Sequence, residues 1–175
     1  VADVVVNIAS NEGWGLSSTE ALLAGTVIVN SVTGGLQDQI RFENESGDWI
    51  TFDQSFTTNH TARYTKHGVW AKPIFPSNRS LQGSPATPYI FDDRVRFEDV
   101  GNALREWWET SATKRREAGT AGREFCLTHG LTSKQMGESM IDHIDFLFTQ
   151  PKDARPRYTF NKVESTQYEN IGITE

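Results

Sequence analysis

The sequence predicts an α/β fold, with part of a parallel sheet followed by a helical C-terminal half. Two observations predict it. Two short β-branched runs, residues 4–9 and 26–30, are separated by a glycine-containing loop and a helical stretch. That strand–loop–helix–strand order is a βαβ unit, and a βαβ unit requires parallel pairing. Three later segments, beginning near residues 98, 113 and 132, carry apolar residues at helical spacing.

Residues 4–9 hold Val4, Val5, Val6 and Ile8, with turn residues Ser10 and Asn11 behind them. A continuous β-branched run of this length fits a buried parallel strand covered on both faces. Residues 11–16 form a loop, and a helix is expected over 18–24. It ends at Gly25, where a left-handed residue is wanted. Residues 26–30 give the second strand. Residues 31–35 form another loop around Gly34-Gly35, and a short helical turn is expected over 36–40.

Residues 41–88 read as an ordered insertion. They hold many aromatics and prolines but no sustained period, and they are too aromatic for a disordered tract. Short strands are expected near 49–52 and 69–72. Residues 89–91 suggest a last short strand, and Asp92-Asp93 a turn or cap before the next helix. Helices are expected over 98–109, over 113–128 with interruptions at Gly119 and Gly122, and from a Thr132 or Ser133 cap to about 149. The third has the apolar stripe Met136, Met140, Ile144 and Leu147, flanked by Ile141 and Phe148. The domain reading is one incomplete domain over 1–150 and a polar tail over 151–175. The chain starts within a strand pattern and without Met, which reads as part of a longer protein.

The chain has 175 residues, a net charge of −6 and 23% charged residues. An acidic chain offers no electrostatic reason to expect nucleic acid or an anionic membrane. The basic run Lys114-Arg115-Arg116 reads as a solvated helix face. The single cysteine, Cys126, reads as a core thiol. With no secretion signal visible, this implies a cytoplasmic protein. No stretch approaches the roughly 18 apolar residues of a membrane span. Sequons at Asn44, Asn59 and Asn78 are expected to be unused. His60, His67, His129 and His143 show no metal-ligand spacing, Gly-x-Ser-x-Gly is absent, and no metal is expected.

The chemistry concentrates in residues 11–25. Gly13 and Gly15 allow close backbone approach to a ligand and positive φ. The open N–H groups and dipole of the following helix favour an anion such as a phosphate or pyrophosphate. The loop follows a parallel strand at its carboxyl end, where ligands bind in open α/β sheets. Glu12 precedes this anion site, and Glu20 is expected on the first helical turn after it. A bare phosphate has no use for adjacent carboxylates, but a nucleotide sugar does, because they accept hydrogen bonds from vicinal hydroxyls. Ser17-x-x-Glu20 also fits a capping box, and Gly34-Gly35 also fits a plain turn.

Glu-x7-Glu, realised as Glu12 and Glu20 within EGWGLSSTEALLAGT, resembles the donor-site motif of retaining GT-B glycosyltransferases. ADVVVNIAS is similar to the strand before that motif, and VIVNSVTGGLQDQI to the next strand and Gly-Gly loop. YIFDDRVRFEDVGNALREWWE resembles the family's later strand–turn–helix. By position alone, the third helix resembles the C-terminal helix that packs back on the first domain. The resemblance implies a Rossmann-like GT-B C-terminal domain and a hexosyltransferase-type activity. It makes Glu12 the candidate catalytic residue, against the sugar hydroxyls. Gly13, Trp14, Gly15, Leu16 and Ser17 would line the sugar and pyrophosphate, with Gly34 and Gly35 beside them, and Glu20 would hold the ribose. The partners implied are a nucleotide-diphosphate sugar, an acceptor, and an N-terminal domain that lies outside the chain. No cofactor is implied. A nucleotide-sugar epimerase of similar architecture and a non-catalytic α/β binding module are the alternatives.

Overall fold

The computed structural model describes residues 2–150. They divide into two units, residues up to Met136 and residues from Gly137. The first is α/β. Its sheet has three parallel strands in the order β1 (Val4–Asn7), β2 (Val27–Ser31) and β3 (Ala71–Ile74). Helix α1 (Leu16–Leu23) joins the first two, and the five-residue α2 (Leu36–Ile40) follows β2. Then come a two-stranded antiparallel hairpin, β4 (Asn78–Ser84) and β5 (Thr87–Arg94), and helices α3 (Phe97–Glu109), α4 (Ala112–Thr128) and α5 (Ser133–Thr149).

The central strand explains the layering. Every residue of β2 is buried, as expected for a strand flanked by two others and covered on both faces. Ile28 points into a core with Leu22, Phe42, Trp70, Phe125 and Cys126. Val27 and Val29 point the other way, to Ile74, Ala103 and Trp107. Helices α1 and α4 pack together on one side, and α3 covers β2 and β3 on the other. Trp107 is buried with its indole N–H on the Ile28 carbonyl, at 3.3 Å, while its neighbour Trp108 is 84% exposed. β1 is shorter than expected and only half-buried. It lies at the edge of the described sheet, and Val6 is 39% exposed.

Helix α1 ends as its sequence dictates. Gly25 sits at φ +77°, its N–H donates to Leu22, and Thr26 N–H donates to Ala21, the double closure of a Schellman motif. The capping box at its start does not form. The N-cap is Gly15, with no side-chain cap, so Ser17 is the second helical residue and Glu20 the fifth, two positions further in than a capping partner.

Other expectations need correction. The strand near 69–72 belongs to the parallel sheet, so the expected insertion contains a core strand. Residues 49–52 make only an isolated bridge, Glu43 to Trp49. Aromatic contacts order the rest: Phe42–Phe52, Phe52–Phe56 and Phe56–Tyr64 succeed one another, and Trp70 stacks on Phe125 at 4.8 Å. Gly119 and Gly122 do not interrupt α4. They face Gly25 and Trp70, where any side chain would collide. Asp92 and Asp93 are strand residues in β5, and α3 starts after Arg96. Arg115 does more than solvate a helix face, because its guanidinium donates to the Trp107 carbonyl at 3.0 Å, near the end of α3 where the helix dipole favours a cation. Asn59 is fully buried, and its side chain bonds both the N–H and the carbonyl of Tyr64, so this sequon is closed to glycosylation in the folded chain.

The second unit consists, among described residues, of the rest of α5. Thr132 caps the helix through the Gln135 N–H, at 3.2 Å, and no α5 residue is buried. The expected tail over 151–175 lies outside the described residues. No helix among the described residues is long and apolar enough to cross a membrane.

Cys126 is fully buried, and burial pushes its thiol up to about 11. Two outcomes are expected. Alkylation at pH 8 proceeds only at the rate of unfolding, since a buried thiol is inert. Above pH 9 the unfolded thiol ionises first, so stability falls between about pH 9 and 11, by up to about 3 kcal/mol. Denaturant melts of the wild type and Cys126→Ala across that window isolate this contribution. Equal slopes for the two proteins would refute it.

Candidate functional site

Two loops meet at the carboxyl end of the parallel sheet. The first follows β1 and carries residues 10–15. The second follows β2 and carries residues 32–35. They touch backbone to backbone: the Gly35 N–H donates to the Glu12 carbonyl at 3.1 Å, and a Cβ built on Gly34 or Gly35 would overlap the carbonyl oxygen of Glu12 or Gly13. Gly34-Gly35 is therefore more than a turn. It is the surface on which the Glu12 loop rests.

The two glycines of the first loop differ. Gly15 is buried at φ +83°, and a side chain there would strike Leu36. Its requirement for glycine is internal: the start of α1 and the packing against α2. Its positive φ is the one expected of it. Gly13 is exposed, has no positive φ, and has nothing within 4 Å of its Cβ position. Nothing within the described residues demands glycine there.

The remaining predicted residues are placed as follows. Trp14 folds over α1, its indole N–H donating to Thr19 Oγ1 at 2.9 Å, so only its backbone is in the loop line. Its carbonyl and that of Gly15 both accept from the Gln39 amide, which ties the loop to α2. Leu16, Ser17 and Glu20 are exposed and share the solvent face of α1, while Ser18, Thr19, Ala21 and Leu22 are buried beneath them. Among described residues, the N–H groups of Leu16 and Ser17 meet no acceptor, and neither the Glu12 nor the Glu20 carboxylate has a partner. Open helix-start N–H groups of this kind are the groups that could accept an anion.

Beneath α1 lies a polar floor. Asn7 and Asn30 are register partners on β1 and β2. Asn7 reaches Ser17 Oγ at 3.5 Å, and Ser18 Oγ donates to Asn30 at 3.0 Å. These asparagines fix the first turn of α1 to the strand ends. Within α2, burial raises the Asp38 carboxyl above the usual carboxylate range, against the opposing attraction of Arg41.

No protein-family model matches the chain, and no curated protein matches it. The site is therefore defined by its chemistry alone.

Sequence reading missed the residues that hold the loops in place: Asn7, Thr33, Gln39 and, read as a turn or cap, Asp93. Each is an isolated polar side chain whose partner lies far off in sequence, 60 positions away for Thr33 and Asp93. The largest signal available was the pair Asp92-Asp93 inside an apolar strand. A cavity of about 480 Å³ lies at the opposite end of β1, lined by Asp3, Val4, Leu104, Trp107, Trp108 and Arg115. Its one carboxylate and its nearest guanidinium face each other at 3.7 Å, and no polar groups converge on it from strand carboxyl ends. The glycine loops are the better candidate despite being an open face. Among described residues, no group of three His, Cys, Asp or Glu side chains could hold a metal ion.

Proposed function

We propose that the carboxyl end of this sheet is the donor-side wall of a glycosyltransferase that takes a sugar from a nucleotide-diphosphate donor and transfers it with retention of configuration. The observation that carries the reading is Gly13: an exposed glycine that the fold does not need, beside two open helix-start N–H groups and two unpaired carboxylates. Space kept clear at a loop backbone suits the close passage of a pyrophosphate, and the α1 start offsets its charge. Glu20, on the open face of α1, binds the ribose hydroxyls. Glu12, in the loop, takes the hydroxyls of the transferred sugar. The leaving diphosphate is stabilised by oriented N–H groups rather than by a metal. The surface facing this open wall comes from outside the described residues, together with the acceptor site.

Titration of the chain with UDP and GDP tests the proposal. We expect weak binding, with Kd on the order of 1 mM, or about −4 kcal/mol. Glu20→Ala weakens it at least tenfold, a loss of about 1.4 kcal/mol. Gly13→Ala weakens it likewise while leaving the melting temperature unchanged, because the added methyl meets only the ligand. Tight binding insensitive to Glu20→Ala would refute the ribose assignment, and an unaltered affinity in Gly13→Ala would refute the pyrophosphate path.

A further inference from the structure

The β4–β5 hairpin makes a set of contacts that neither the sheet nor the nucleotide reading requires. Arg79 and Asp93 are direct cross-strand partners in it. Asp93 is 4% exposed, although carboxylates are rarely buried without partners. Its Oδ2 accepts from Thr33 Oγ1 at 2.9 Å, and its own N–H donates to the Ser10 carbonyl at 2.8 Å. Thr33 Oγ1 also reaches that carbonyl, at 3.5 Å. Thr33 opens the Gly34-Gly35 loop, and Ser10 opens the Glu12 loop. Asp93 thus grips a residue near the start of each loop, beside the Gly35 N–H to Glu12 carbonyl bond on which the two converge. On its other side Arg79 Nε lies 3.3 Å from Oδ1, and the guanidinium sits 4.6 Å above the Phe91 ring. The neighbouring Ser10 Oγ to Asp92 bond, at 3.3 Å, and the Asn11 amide to Phe91 carbonyl bond, at 3.3 Å, extend the same seam.

We infer that Asp93, held by Arg79, is a positioning residue: it clasps the two glycine loops at the spacing that the ligand surface requires. A carboxylate suits this job. It can accept from Thr33 while its charge is balanced by a guanidinium, and charge-assisted bonds hold geometry better than neutral ones. The hairpin thereby acts as a strut from outside the sheet. The clasp itself stands on the contacts above, and its bearing on nucleotide binding rests on the proposed function.

The test uses the pair Thr33→Val and Thr33→Ser in the full chain. Thr33→Val removes the hydroxyl at almost constant shape, and Thr33→Ser keeps it. Without ligand, amide hydrogen exchange is read at Gly35, at Asp93 and, as a core reference, at Ile28. Thr33→Val is expected to speed exchange at Gly35 and Asp93 at least tenfold and to leave Ile28 within twofold. Thr33→Ser is expected to restore protection. UDP and GDP titrations follow, with affinity down at least tenfold in Thr33→Val and within threefold of wild type in Thr33→Ser. Unchanged protection at Gly35, a uniform loss at all three amides, or a serine variant as impaired as the valine one would each overturn the clasp. If wild type binds neither nucleotide, the nucleotide reading falls, and the exchange pattern alone decides the clasp.

Discussion

Gly34→Ala is expected to lower the melting temperature by roughly 6–12 °C, the shift that about 3 kcal/mol produces in a domain of this size. Two penalties act together. Gly34 has φ +44°, a left-handed conformation that costs a residue with a Cβ roughly 1–2 kcal/mol. The methyl also overlaps the Glu12 carbonyl oxygen, which is backbone and cannot swing aside. Overpacking of this kind costs about 1–3 kcal/mol. The loops must separate to admit it, and the Gly35 N–H to Glu12 carbonyl bond is lost with them. Thermal unfolding of the variant checks the stability, with Gly13→Ala as the comparison, since nothing lies within 4 Å of its Cβ position. A melting temperature equal to wild type would show that the two loops do not meet as described.

Gly119→Ala is expected to destabilise the protein by about 2 kcal/mol, although alanine is the better helix former by about 1 kcal/mol. The reason is tertiary. Gly119 faces the carbonyl of Gly25 at the end of α1, and a Cβ there overlaps that oxygen and stands 2.7 Å from its carbon. Helix α4 must lift from α1, and the lifting opens the core around Leu22 and Trp70, which a Cβ at Gly122 would meet at 2.8 and 2.9 Å. Gly101→Ala is the internal control. It lies within α3 with no atom near its Cβ position, so the same substitution is expected to stabilise by about 0.5–1 kcal/mol. Chemical denaturation of both variants gives the two signs. If Gly119→Ala is stabilising too, the close crossing of α1 and α4 is wrong.

These two glycines show why the sequence was only partly legible. The βαβ unit could be read because each of its signals is local: a β-branched run, a glycine loop, a helical stretch and Gly25 at its end. Glycine at 34, 35, 119 and 122 carries no local signal of its purpose. A turn, a helix interruption and a close approach look alike in sequence, and only the neighbour tells them apart. The same holds for Ser17-x-x-Glu20, whose spacing fits a capping box. The box is not formed because Gly15, in the left-handed conformation, already starts the helix. Residues 69–72 illustrate a further limit, since a short strand cannot announce which sheet it joins.

Within the candidate site, the sequence by itself determined the inventory: two glycine loops after parallel strands, a helix start, and the carboxylates of Glu12 and Glu20. These follow from residue type and spacing, which set backbone conformation over a few residues. The tertiary structure alone decided their arrangement. It showed that Gly15 is glycine for packing and Gly13 for nothing inside the fold, that the two loops interlock through Gly34 and Gly35, and that Asp93 reaches across from a hairpin to hold both. The physical reason is range. Dihedral preferences and caps act within a turn of chain, whereas steric exclusion and buried hydrogen bonds act between whichever residues the fold brings together.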